Sequence, residues 1–247
     1  MLRARSLLLV TCLVPFAALA ACGDEIDVYT PTELGARLLA PADMGPGWTE
    51  TQRDVFDTRE PENPSIDPSL WCPDYPAGKS DQLTTLAGRA GADVELQFGD
   101  PQAAEQPTYG LRQQAWSNKD SQDYLRELAD AVATCNGATW TDSSEGSSEG
   151  SEEGTAAEYR LSALSVPTVG DETVAALVTI TLSADDGGPT MTIRQRMAAV
   201  RAGSIVMVLQ EGDTVDAEAE PSTTDAEFAT LVEQAARPFV ELDGGTG

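Results

Sequence analysis

The chain has 247 residues, with 41 Asp and Glu against 15 Lys and Arg, a net charge of −26 and no histidine. Charge of that sign opposes binding to nucleic acid and to anionic headgroups, leaves cations and basic partners open, and keeps an exported protein soluble. The lack of histidine removes Ser-His-Asp and Cys-His nucleophiles and the commonest metal ligand.

The N-terminus reads Met1-Leu2-Arg3-Ala4-Arg5, then an almost entirely apolar stretch from Ser6 to Ala18, then Leu19-Ala20-Ala21-Cys22. A basic start, a short apolar core and small residues at a cut site describe a signal peptide over residues 1–21. The core is shorter than the roughly 20 residues a spanning helix needs, and Pro15 interrupts it. Leu19 to Cys22 resembles the bacterial lipobox, which implies that Cys22 takes a thioether-linked diacylglycerol and fatty acyl chains such as palmitate. Several acyl chains hold a protein on a membrane where a single one does not. The rest of the chain is therefore expected outside the cell, lipid-anchored on the outer face of the cytoplasmic membrane. An ordinary secretory signal is the alternative.

Residues 22–33 read as a polar tether. Thr32 to Leu39 predicts a short helix with Leu34, Leu38 and Leu39 on one side, followed by a turn that presents Trp48. Pro61, Pro64 and Pro68 mark an irregular loop over 58–69. Val94, Leu96 and Phe98 alternate with polar residues as in a half-buried strand, and Tyr109, Leu111 and Ala115 suggest its partner. Ser117 or Asn118 caps a helix running to Thr134, striped by Leu125, Leu128, Val132 and Cys135. Cys12 leaves with the signal peptide and Cys22 is lipidated, so Cys72 and Cys135 are the thiols left in an oxidising compartment and should pair. Closing that loop stabilises the fold by about 4 kcal/mol in the chain-entropy model.

Residues 142–155 form a Ser/Gly/Glu tract with nothing to bury, read as a flexible insertion. Strands follow around Tyr159 and Leu161, from Val174 to Leu182, from Met191 to Met197, and through the apolar run Ile205 to Leu209, joined as hairpins. Capping boxes at Ser222 and Thr224 open a last helix striped by Phe228, Leu231, Val232, Ala235 and Phe239. The sum is an α+β domain over 34–242, an antiparallel meander with two main helices packed on one face, then a disordered tail over 243–247. Two small domains divided at the Ser/Gly/Glu tract are the alternative.

No catalytic residue, cofactor or metal site is assigned. Lys79 and Lys119 have no serine three residues before them. Gly146-Ser147-Ser148-Glu149-Gly150 matches Gly-x-Ser-x-Gly, yet it lies in a polar repeat rather than on a strand-to-helix turn. The acidic tract lacks the spacing of a calcium loop. Paired carboxylates acting on a glycan remain the enzymatic alternative, since that chemistry needs no histidine. Trp48, Trp71, Trp116 and Trp140 either pack or line a cleft. Trp48 and Trp116 are the candidate ligand contacts, with Arg194 and Arg196, whose charges in so acidic a chain also have carboxylates to pair with.

The lipobox, the segment from Leu38 through Pro41-Ala42-Asp43-Met44-Gly45-Pro46-Gly47-Trp48-Thr49, the cysteine ending the central helix, and Val166-Pro167-Thr168-Val169-Gly170-Asp171-Glu172 before a strand are a familiar set. Together they resemble actinobacterial envelope lipoproteins described as sensor-domain-like, similar to the extracellular domain of PknH-type receptor kinases. The resemblance covers most of residues 34–240 and implies an α+β fold outside the membrane with a ligand-binding or sensing role. Kinase-type members carry two disulfides, whereas this chain has cysteines for one. The expectation is a non-catalytic extracytoplasmic domain. It holds either a small ligand, in a pocket that exposes a tryptophan, or a protein of the envelope, through a flat assembly patch.

Overall fold

The computed structural model describes residues 28–57, 72, 75–87, 90–99, 109–144, 155–184, 191–216 and 223–244. The signal peptide, Cys22, the proline-rich loop, Trp71, most of the Ser/Gly/Glu tract and the last three residues lie outside them.

Two short helices open the described chain, α1 (Pro31–Gly35) and α2 (Pro41–Met44), where one helix was expected. Pro41 starts a new helix because its fixed φ suits a first turn, and Leu34, Leu38 and Leu39 are buried as expected. The chain is already docked at Tyr29, whose N–H donates to Ser117 Oγ at 3.2 Å and whose hydroxyl donates to the Leu242 carbonyl at 3.3 Å. Next come β1 (Trp48–Phe56), α3 (Ala77–Leu86), β2 (Gly91–Phe98), β3 (Tyr109–Ser117), α4 (Ser121–Cys135) and β4 (Thr139–Ser144). The chain then runs through β5 (Thr155–Ala163), β6 (Glu172–Ala184), β7 (Met191–Ala202), β8 (Ile205–Asp216) and α5 (Asp225–Leu242). Helix α4 begins later than Ser117 or Asn118 would place it. Asn118 instead folds a tight turn by accepting from the Asp120 N–H at 3.1 Å, and Asp120 is the N-cap.

All strand pairs are antiparallel, in the order β1-β2-β3-β8-β7-β6-β5-β4. This is two meanders rather than one. After β3 the chain leaves the sheet as α4, returns at the far edge as β4, and works back until β8 pairs with β3. The expected hairpins of β6, β7 and β8 are present.

The two main helices lie on opposite faces of the sheet, not on one. Ile205, Met207 and Leu209 of β8 pack in the same core as Phe228, Val232 and Phe239 of α5, with Leu34 beside them. Val206 and Val208 pack with Leu125, Leu128 and Val132 of α4, and with Leu83 of α3. Successive side chains of a strand point to opposite faces, so the uninterrupted apolar run Ile205–Leu209 is what a strand covered on both sides requires. Cys72 and Cys135 are joined on the α4 face, their Cα atoms 5.9 Å apart.

Candidate ligand-binding site

One cross-strand row carries most of the site. Trp48 of β1 pairs with Phe98 of β2, Phe98 with Tyr109 of β3, Tyr109 with Asp213 of β8, and Asp213 with Arg194 of β7. Two residues along, on the same face, Leu96, Leu111, Glu211 and Arg196 form the next row. Three of the tryptophan and arginine positions singled out in the sequence thus meet on the α5 face near one end of the sheet.

Each ring is positioned by its strand. Gly45 and Gly47 have φ of 89° and 94°, a left-handed backbone that turns the chain from α2 into β1. A Cβ on Gly47 would lie 2.7 Å from the Phe98 ring, so the residue is needed both for the turn and for the ring beside it. Trp48 meets Phe98 edge-on with centroids 5.6 Å apart and Tyr109 at 5.1 Å, while Phe98 and Tyr109 are 6.4 Å apart. Phe98 remains 49% exposed, which is high for an aromatic residue with two ring neighbours.

Helix α5 supplies the facing wall. Its start is fixed by a capping box in which Glu227 N–H donates to Thr224 Oγ1 at 3.2 Å and the Thr224 N–H donates to Glu227 Oε2 at 2.8 Å. From that start, Glu227, Thr230, Leu231 and Gln234 stack on one side of the helix, three and four residues apart. Gln234 Nε2 donates to the Asp43 carbonyl at 2.9 Å and ties α5 to α2. Between the wall and the rings lies a cleft of about 480 Å³, lined also by Asp43, Met44 and Thr223.

Behind the cleft the polar groups are tightly engaged. The hydroxyls of Tyr109 and Thr223 are 2.6 Å apart. Arg196, 3% exposed, donates to Glu211 Oε2 at 3.3 Å and to Asp225 Oδ1 at 3.0 Å, which pins the first turn of α5 to the sheet. Burial pushes the Glu211 carboxyl above the usual carboxylate range, against the opposing pull of Thr223, Arg196 and Tyr109. Burial likewise raises the Tyr109 phenol far above its ordinary value. The Glu227 carboxyl is held below its usual range by its capping bonds with Thr224, the opposite of what a proton donor to a glycan needs.

Of the sequence candidates, Trp48 lines the cleft, and Arg196 stands behind it through Glu211 and Asp225. Arg194 does not line it; Nη1 of Arg194 is buried and makes no hydrogen bond among the described residues. Trp116 is elsewhere: it is 5% exposed on the α4 face, edge-on to Tyr124 with centroids 5.2 Å apart. Trp140 stacks on Tyr159, the rings inclined by 7°. Sequence reasoning missed Phe98, Tyr109, Thr223 and the polar wall of α5 as site residues. The facing ends of two paired strands, each an aromatic, carried the signal for Phe98 and Tyr109.

Two other hollows differ in chemistry. A hollow of about 690 Å³ at the far end of α5 is lined by Asp171, Glu233, Arg237, Glu241 and Asp243 and has no aromatic side chain. A trough of about 370 Å³ on the other face of the sheet is floored by Gly110 and Gly212 and lined by Gln97, Gln195 and Arg112. Small-molecule sites combine apolar and aromatic walls with a few placed polar groups, and the Trp48 cleft has that composition although it is smaller than the acidic hollow. Among the described residues no helix is long and apolar enough to cross a membrane, and no cluster of His, Cys, Asp or Glu could hold a metal ion.

Among solved structures, the chain is similar to the extracellular domain of PknH from Mycobacterium tuberculosis, with a TM-score of 0.49 and 13% identity over 89% of this chain and 98% of that one. It is similar to a Mycobacterium smegmatis protein, an Rv0999 ortholog, with a TM-score of 0.35 and 13% identity over 83% of this chain and 98% of that one. LpqN of Mycobacterium tuberculosis, involved in cell envelope biogenesis, gives a TM-score of 0.27 and 14% identity over 76% of this chain and 84% of that one. The first of these is of the kind that the sequence motifs resemble. No protein-family model matches the chain, and no curated protein matches it.

Proposed function

We propose that the chain is an exported lipoprotein, anchored through Cys22, whose folded part is a non-catalytic, sensor-like domain that takes a small amphipathic ligand in the Trp48 cleft. The observation that carries this reading is the cleft itself: rings from three strands facing the polar side of α5 across about 480 Å³, within the size range of small-molecule sites. The lipobox supports the anchor. A lipid-held domain has no part of its own in the cytoplasm, so sensing requires a membrane-spanning partner.

Protein purified from envelope membranes is titrated with envelope lipids, glycans and metabolites while tryptophan fluorescence and melting temperature are followed. A ligand that binds the folded state alone stabilises it by mass action, by about 2.7 kcal/mol at a hundredfold excess over Kd, and so raises the melting point. A saturable shift that disappears in Trp48→Ala is the expected result. No shift across the panel would turn the reading toward an envelope protein held at this face. The anchor is tested separately: labelled fatty acid enters the protein and is lost in Cys22→Ala.

A further inference from the structure

We infer that the ligand of the Trp48 cleft is an organic cation, a protonated or quaternary amine carried on an apolar body; this rests on the cleft being a ligand site.

The cleft has two kinds of wall and both favour positive charge. Trp48, Phe98 and Tyr109 are inclined to one another by 60° to 75°, so a group lodged among them meets ring faces as well as edges. Ring faces carry the negative lobe of the aromatic quadrupole and attract cations, most strongly when water is excluded. The charged residues lining the cleft are Asp43 and Glu227, and no lysine or arginine is among its described lining residues. Both carboxylates accept hydrogen bonds from capping groups, Asp43 from the Ala40 N–H at 2.8 Å and Glu227 from Thr224, which holds them in place without neutralising them. The guanidinium of Arg196 lies behind the cleft and is already paired with Glu211 and Asp225. An anionic ligand would therefore meet two carboxylates and no lysine or arginine among the described lining residues. Met44 and Leu231 give the apolar body its contact. The net charge of −26 adds a field of the same sign that draws cations toward the molecule.

The test uses three probes with one apolar body and three head charges: phenylbutyltrimethylammonium, 4-phenylbutanol and 4-phenylbutyrate. The full-length protein in a fixed concentration of nonionic detergent is titrated with each, and the signal is the part of the tryptophan fluorescence that Trp48→Phe removes. The expected order is ammonium over alcohol over carboxylate, with the first at least about tenfold tighter than the second. Asp43→Asn with Glu227→Gln should bring the ammonium down to the alcohol's affinity and leave the alcohol unchanged, while circular dichroism shows the fold retained. Asp123→Asn with Asp130→Asn removes equal charge from the other face and should leave the preference in place.

Equal binding of the three probes overturns the inference and leaves a neutral ligand site standing. A preference erased as fully by the distant pair also overturns it, since the field of the whole molecule then accounts for the selectivity. No binding of any probe at Trp48 overturns the inference together with the reading beneath it.

Discussion

Trp116 and Trp48 sit on opposite faces of one sheet and show how the two faces differ. On the α4 face Trp116 is 5% exposed against a fully buried Tyr124, and the disulfide closes the last turn of α4 onto Cys72. Around Trp116 that side is covered and cross-linked. On the α5 face the core of Phe228, Val232 and Phe239 is equally buried, but toward the start of α5 it gives way to half-covered rings and a buried ion pair. A large aromatic side chain serves as filler where a helix lies directly over it and as wall where the helix stands off. What separates the two is the neighbouring layer, not the residue type.

The largest effect should come from the cross-link. Replacing Cys72 and Cys135 with alanine removes about 4 kcal/mol by the chain-entropy argument, measured by urea unfolding, while Trp48 still responds to ligand in the fraction that stays folded. Loss of the Trp48 response in folded protein would show that the faces are not independent.

Arg196→Met comes next. It leaves Glu211 buried without its cation, a loss of about 3 kcal/mol near neutral pH. The pH dependence has a definite sign. Burial raises the folded-state pKa of Glu211 above its unfolded value, so this group's contribution is fully present below the ordinary carboxylate range and is lost as pH rises through the raised value. Without Arg196 the raised value climbs further, so the variant's deficit should shrink as the solution is acidified. A deficit independent of pH would mean that Arg196 acts only through packing or Asp225.

Smallest in stability, but opposed in function, are the two tryptophan changes. Trp116→Phe should lower stability by about 1–2 kcal/mol through lost packing and leave ligand binding intact. Trp48→Ala should cost about 1 kcal/mol or less and reduce ligand affinity at least about tenfold. The reverse pattern would exchange the roles of the faces.

Much of the sheet was legible because its core strands alternate cleanly: Val94, Leu96 and Phe98 on β2, and Val174 to Leu182 on β6. Three elements were not. Strand β1 is an edge strand with mostly exposed side chains, so no burial pattern marks it. Helix α3 buries little beyond Leu83 and Ser80, too few for a stripe. Strand β4 runs into residues whose composition reads as a solvated tract and is held by its pairing with β5. The layering was written in the run Ile205–Leu209, since an apolar residue at every position asks for cover on both sides. The cleft was half visible: Trp48 and Arg196 stood out by type, but the two neighbouring cross-strand rows that hold them run over strands far apart in sequence, and register is set by pairing rather than by any local pattern.

The most direct test of the account labels all four tryptophans with 5-fluorotryptophan and follows their 19F resonances, assigned by single substitutions, as small molecules extracted from the envelope are added. The Trp48 resonance should shift saturably while that of Trp116 stays fixed. A shift at Trp116 with Trp48 unmoved, or equal movement of both, would contradict it.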